Sequence, residues 1–195
     1  MEDPASFLTR HMAAHIVVMN IAAPFLVILF RRVTVIAPNP ASARWIGPAT
    51  AVQIALLWGW HLPAPLAFAY AVLGALMLMH VSLFGAALWF WWTVLEEAES
   101  ARWRALGALL ITGKVFCLLG VLLTFAPRAL FVRAAELCLG AGTAAGSLLQ
   151  DQQLAGLLML VACPLTYVLA GVVIAARWLG DIERRGPSLL PDPSV

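Results

Sequence analysis

The chain has 195 residues, of which 63% are hydrophobic and only 11% are charged, and its formal net charge is +2. Soluble domains carry about 25% charged residues, so a soluble domain of this size would lack the charge that covers its surface. The small, scattered positive charge gives no basis for binding nucleic acid. We therefore predict an all-α, polytopic membrane helix bundle whose surplus apolar surface faces the lipid bilayer.

Five apolar stretches are long enough to cross a bilayer, whose hydrocarbon core of about 30 Å needs about 20 helical residues. In chain order they cover residues 12–30, 45–61, 66–95, 103–126 and 154–179. Between the last two, residues 128–150 are predicted to form an external loop with a short interfacial helix. We expect a single transmembrane domain over residues 1–186 and a disordered, proline-containing tail over residues 187–195.

The arginine residues indicate an orientation for this bundle. If the C-terminus lies in the cytoplasm, eight arginines lie on that side and three lie outside, an asymmetry that the positive-inside rule favours. We therefore predict an external N-terminus and a cytoplasmic C-terminus. The cytoplasmic set is Arg31, Arg32, Arg44, Arg102, Arg104, Arg177, Arg184 and Arg185, and the external set is Arg10, Arg128 and Arg133.

Four histidines lie in or beside the predicted spans, and none lies in a segment predicted to be cytoplasmic. His11 and His15 are four residues apart, so they share one helix face and could bind one metal ion. His61 ends the second span on the same outer side. The depth of His80 stays open: counting from the start of the third span puts it about 21 Å deep, whereas counting back from Glu96 puts it level with His15.

Thioether and carboxylate groups near these histidines complete a predicted metal site. Its candidate ligands are His11, His15, His61, His80, Asp151, Met19, Met77 and Met159. Imidazole and thioether without thiolate is a ligand set suited to copper. Purely structural interpretations stay open. The histidines could be packing residues, the methionines could fill gaps between helices, and Asp151 could be the acidic start of a helix. The three cysteines lie far apart and indicate neither a disulfide framework nor a thiolate metal site.

Five sequence runs occur along the chain in a definite order. They are HMAAH at residues 11–15, WHLP at 60–63, FWW at 90–92 with His80 before it, LLTFAP at 122–127, and DQQLAGLLM at 151–159. With these runs the chain resembles the polytopic caa3-type cytochrome c oxidase assembly factor family (CtaG) over about residues 8–180. DQQLAG after LLTFAP is the most specific part of the resemblance.

The chain departs from that family pattern at two places. Longer members have further spans before the HMAAH segment, so this chain corresponds to a short form. Many members also carry an HxxEH pattern in the third span, where this chain has Leu76 and Met79 ahead of His80. A methionine-richer Cu(I) site is therefore expected here in place of a site with four histidines.

The resemblance implies a non-enzymatic assembly factor for a haem–copper cytochrome c oxidase in the inner membrane of a bacterium. Copper would be held briefly at the outward-facing site, supplied by a periplasmic copper donor, and passed to an oxidase subunit. Two other classes remain open. One is a b-type cytochrome with haem held between histidines such as His15 and His80, and the other is a copper permease with His11, His15, Met19 and Met77 as an inward ladder.

Overall fold

The computed structural model describes residues 6–34, 44–96, 102–140 and 145–185, and this part of the chain is helical and contains no strand. Four of its helical stretches are long and apolar enough to cross a bilayer, or five if one bent pair of helices counts as a span. The predicted all-α, multi-pass bundle of about five spans is therefore confirmed. The predicted disordered tail lies outside the described residues.

The helices follow one another in a simple order along the chain. They are α1 (Phe7–Ile16), a π-helical segment (Val17–Ala22), α2 (Ala23–Thr34), α3 (Ile46–Trp60), α4 (Pro63–Ala71), α5 (Leu73–Glu96), α6 (Arg102–Phe125), α7 (Val132–Leu139) and α8 (Ala145–Arg185). The stretch from α1 to α2 is one continuous span. The short helix α7 lies in the stretch that was predicted to be a loop with a short helix.

Contacts between neighbouring helices define the two ends of the bundle. At one end, which we call the arginine end, the ring of Trp45 before α3 lies 6.2 Å from the ring of Trp89 in α5. There Arg102 of α6 also forms a salt bridge of 2.7 Å with Asp181 of α8. At the opposite end, which we call the histidine end, the first turn of α1 bonds to Asp151 of α8. Successive spans therefore alternate in direction.

The predicted third span is not one helix. Its first residues belong to α4, which begins at Pro63 and is bent by 75° relative to α3. A proline at the first position of a helix supports such a start because its missing N–H needs no partner there. Val72 is extended, and α5 begins only after it. Counting from Leu66 therefore gives the wrong depth for His80, which lies in the second turn of α5, level with His15.

The π-helical segment has an identifiable cause in the sequence. Ala23 donates its N–H to the carbonyl of Val18, five residues earlier. Pro24 has no N–H, so the carbonyl of Met19 has no helical donor left to accept from. The indole Nε1–H of Trp91 in α5 donates to that carbonyl at 2.8 Å. Single-turn π-helical insertions of this kind occur frequently at functional sites.

The most extensive helix interface lies between α6 and α8. Its closest approach is at Gly156, where an added Cβ would lie 2.7 Å from the carbonyl oxygen of Gly120 and 2.7 Å from the amide nitrogen of Thr124. Small residues that let two backbones come together are typical of helix pairs in membranes. This contact fixes the position of α8, which carries Asp151 to the histidine end.

Candidate metal centre

Three buried histidines from two elements meet at the histidine end. His11 and His15 lie one turn apart on α1, and His61 is the residue that caps the C-terminus of α3. Their exposed fractions are 7%, 5% and 2%, and one ring nitrogen from each lies within 4.8 Å of the other two. We call these three residues the histidine cluster. Such a set of nitrogens can bind one metal ion.

His80 lies at the rim of the histidine cluster and does not share its burial. Its ring centroid lies 5.2 Å from that of His15 and 6.4 Å from that of His11, but its side chain is exposed. It lines, with His15 and Met19, a cleft of about 250 Å³ between α1 and α5. This cleft reaches His15, one member of the cluster, beside His80.

Hydrogen bonds to backbone carbonyls fix which nitrogen carries the proton in two of the rings. His61 donates its Nδ1–H to the carbonyl of Leu57 at 2.6 Å, and His80 donates its Nδ1–H to the carbonyl of Leu76 at 2.8 Å. The Nε2 atom of each neutral ring therefore carries a lone pair, which in His61 faces His15 Nδ1. Histidine ligands of metals are usually oriented by a bond of this kind at the second nitrogen.

The spacing of the cluster fits a bound ion. His15 Nδ1 lies 3.3 Å from His61 Nε2. Two imidazole nitrogens that each lie about 2.0–2.1 Å from one ion, at a tetrahedral angle, are about 3.3 Å apart. An ion between these two atoms would replace the proton that they share, with little movement of either ring.

Two nitrogens of the histidine cluster lack any partner. His11 Nε2 and His15 Nε2 are buried and make no hydrogen bond to any described residue. The other nitrogen of His11 is occupied, since the Tyr70 hydroxyl of α4 lies 2.9 Å from its Nδ1. Buried polar atoms in native proteins nearly always have partners. These unpartnered ring nitrogens leave each of the two imidazoles with a nitrogen that a bound cation could use.

Asp151 anchors α1 instead of facing the imidazoles. Its carboxylate accepts the backbone N–H of Leu8 at 2.6 Å, the N–H of Thr9 at 3.0 Å and the Thr9 hydroxyl at 2.6 Å. These N–H groups belong to the first turn of α1, where no intrahelical acceptor exists. Asp151 lies inside α8, which begins at Ala145, and is therefore not the acidic start of its own helix.

Gln152 connects the LLTFAP and DQQLAG runs of the sequence in space. Its Oε1 accepts the N–H of Leu130 at 2.7 Å, and its Nε2 donates to the carbonyl of Leu123 at 3.1 Å. Leu123 lies in the LLTFAP run, and Gln152 lies in the DQQLAG run. The side chain therefore ties the end of α6 to α8, while its neighbour Asp151 ties α8 to α1.

Only two of the three methionines predicted as ligands lie together. Met19 and Met159 are each 2% exposed and lie next to His15, deeper in the bundle. Met77 is 54% exposed on α5. Thus the structure brings Met19 and Met159 to the inner side of the histidine cluster and leaves Met77 on the surface of the bundle.

Tyr70 and Asn20 are two residues near the site that the sequence analysis did not predict. Tyr70 reaches His11 only because α4 folds back as a separate helix, which no pattern in the chain indicated. Asn20 could have been found, because a polar side chain in the middle of an apolar span is costly and usually faces a bundle interior. It is 2% exposed.

Comparison with known families agrees with the sequence runs. The family model of the cytochrome c oxidase caa3 assembly factors (Caa3_CtaG) matches residues 4–181, which is most of the chain. The same comparison among curated proteins and among solved structures gives no match. The matched range includes all four histidines, Asp151 and every described helix except the last residues of α8.

Proposed function

Because the chain belongs to the cytochrome c oxidase caa3 assembly factor family, we propose that its histidine cluster holds copper as cargo during the assembly of a haem–copper oxidase. The observation that carries this proposal is the meeting of His11, His15 and His61, with ring nitrogens within 4.8 Å of one another. Imidazole is a good ligand for copper. The role is non-catalytic, since copper is received and released unchanged.

The cluster suits transfer better than permanent storage. Three protein ligands leave a coordination position open, as they do in metal sites that exchange a ligand. His80 lies beside that position at the mouth of the cleft between α1 and α5. An ion could move from the buried nitrogens to His80 and then to a ligand of an oxidase subunit docked against this side of the bundle.

The distribution of arginines supports an orientation with the histidine end facing away from the cytoplasm. The eight arginines of the larger set lie toward the arginine end of the bundle, and the three others lie toward the histidine end. In the inner membrane of a bacterium this arrangement follows the positive-inside rule. The cluster would then receive copper from a periplasmic donor.

The geometry favours a metal ion over haem between His15 and His80. The two ring centroids are only 5.2 Å apart, and the interplanar angle is 61°. A haem held by both residues would have to lie between the rings, where this contact leaves no space for a macrocycle. Haem binding by this pair therefore has no support in the arrangement of the rings.

A double substitution His11→Ala/His61→Ala tests the proposal in cells. Removal of a supporting partner of a metal ligand weakens metal affinity by about 10–100-fold, and loss of two ligands should weaken it more. The oxidase should therefore contain less copper. The oxidase would be purified from cells that carry the variant as their only copy, and its copper and haem would be quantified. Haem content should change less than copper content.

His80→Ala is the matched comparison, because it removes an imidazole from the rim and leaves the buried cluster intact. We expect a smaller loss of oxidase copper for this variant. A fully copper-loaded oxidase in cells whose membranes contain the double variant at the normal level would contradict the proposed function.

A further inference from the structure

A second set of metal-binding groups lines a small cavity next to His15. The cavity has a volume of about 10 Å³, which is room for about one water-sized particle. We call it the sulfur cavity, and its lining includes Met12, Met19, Met159, Cys163, Asn20 and His15. Half of the six methionines in the chain therefore line one small cavity.

The sulfur atoms belong to deeply buried side chains on two different spans. Met12 and Met19 come from the first span and Met159 and Cys163 from α8, with exposed fractions of only 1% for Met12 and 2% for each of the others. Methionine alone is a common filler of cores. Three thioethers and a thiol around one cavity, however, form a soft ligand set that selects Cu(I).

Asn20 gives the cavity a polar group that the protein does not satisfy. Its side chain is 2% exposed, and neither of its amide atoms has a hydrogen-bond partner among the described residues. Its polar neighbour is the Cys163 thiol, which is a weak hydrogen-bonding group. If Cys163 were a metal-bound thiolate, Asn20 Nδ2–H could donate to a charged sulfur, which is a much stronger acceptor.

From these observations we propose that the sulfur cavity is a second copper site, which holds Cu(I) through Met12, Met19, Met159 and Cys163. Its position in the chain's copper route rests on the proposed function, because copper would enter from the histidine cluster through His15, which lines both sites. The binding chemistry of the cavity does not depend on that route.

The charge balance favours a neutral complex at this depth. Ile16, Leu57 and Phe116 complete the wall of the cavity, and an unpaired charge is costly in such apolar surroundings. When Cu(I) binds, the S–H bond of Cys163 breaks, a Cu–S bond forms, and the proton leaves past the histidine cluster to solvent. Copper remains Cu(I), so no electron is transferred. One proton should be released for each ion bound at this site.

The test is an anaerobic Cu(I) titration of the purified full-length chain in detergent, against a chromophoric Cu(I) chelator, combined with copper X-ray absorption spectroscopy. We expect the wild-type chain to bind two Cu(I) ions and to show sulfur scattering from the second. The variant Met12→Leu/Met159→Leu/Cys163→Ser should bind one ion and lose the sulfur scattering. Met77→Leu/Met79→Leu is the control, with both residues outside the cavity, and should behave as wild type.

Methionine-to-leucine changes nearly conserve volume and are well tolerated in cores, but the triple variant could still fold poorly. Single Met159→Leu and Cys163→Ser variants therefore accompany it, each expected to weaken the second site and to reduce sulfur scattering. Wild-type protein loaded with two equivalents of Cu(I) that shows nitrogen scattering alone would overturn the proposal, whatever the variants do.

Failure of the second site and failure of the proposed function are distinguishable. His11→Ala/His61→Ala should remove the nitrogen-ligated ion and leave the sulfur scattering in place. If that double variant still supports a copper-loaded oxidase, the proposed function fails while the sulfur cavity stands. If sulfur scattering is absent but the double variant blocks oxidase maturation, the second copper site fails and the proposed function stands.

Discussion

Replacing Asp151 with alanine is expected to abolish copper binding at the histidine cluster, although Asp151 contacts none of its imidazoles through a hydrogen bond. The carboxylate accepts three hydrogen bonds from Leu8 and Thr9, and bonds to a charged acceptor are each worth about 1.5–3 kcal/mol. Without them the first turn of α1 loses its acceptors. Because His11 lies in the next turn, its ring would lose a fixed position.

Hydrogen–deuterium exchange separates an anchoring role from a ligand role for Asp151. Asp151→Ala should speed exchange at the amides of Leu8 and Thr9 in copper-free protein, together with a loss of Cu(I) affinity. Thr9→Val is the graded comparison, because it removes only the contacts of the hydroxyl, at 2.6 Å to the Asp151 carboxylate and 3.1 Å to the Asp151 carbonyl, and should cause a smaller change in both measurements. Unchanged exchange in Asp151→Ala, with copper affinity lost, would instead indicate direct ligation.

Gly156→Ala is expected to produce the largest loss of stability of any single methyl addition in the α6–α8 interface. The new Cβ would overlap Thr124 Oγ1 and lie 2.7 Å from backbone atoms of Gly120 and Thr124. A backbone cannot rotate away as a flexible side chain can, so α6 and α8 must separate. Overpacking of this kind costs about 1–3 kcal/mol or more, which exceeds the gain of about 1 kcal/mol from replacing a helical glycine by alanine.

A graded set of glycine variants makes this test specific. Gly180 lies on the same helix with nothing within 4 Å of an added Cβ, so Gly180→Ala should be neutral or stabilising. Gly120→Ala should be intermediate, because its nearest contacts are 3.0 Å and 3.1 Å. The free energy of unfolding would be measured by SDS titration of each purified variant in detergent. Equal stabilities for Gly156→Ala and Gly180→Ala would show that α6 and α8 do not approach each other closely at Gly156.

Most of the helical architecture could be predicted from hydropathy, because a helix that faces lipid must be apolar along a length set by the bilayer. The first, fourth and fifth spans follow that rule, whereas the second reaches the length of a span only together with α4. The prediction of the third span was wrong at its N-terminal end. The apolar run from Leu66 continues through the break at Val72, and composition alone does not mark a change of direction. That break decided the depth of His80.

The candidate site was predictable where local spacing controls it and not where the tertiary fold does. The separation of His11 and His15 by four residues fixes their shared face on any helix, so their pairing could be predicted. Asp151 was expected among the ligands, but its position relative to the start of α1 depends on how α8 packs. Cys163 was set aside because cysteine spacing in the sequence carries no information about cavities formed between spans.

The most direct test of the central claim is copper X-ray absorption on the purified chain loaded with two equivalents of Cu(I), before and after the substitution His11→Ala/His61→Ala. We expect the wild-type spectrum to show imidazole nitrogens in the first coordination shell, from His11, His15 and His61, and we expect that signal to disappear in the double variant. A wild-type chain that binds no Cu(I), or a nitrogen signal that is the same in the double variant, would contradict copper binding by the histidine cluster.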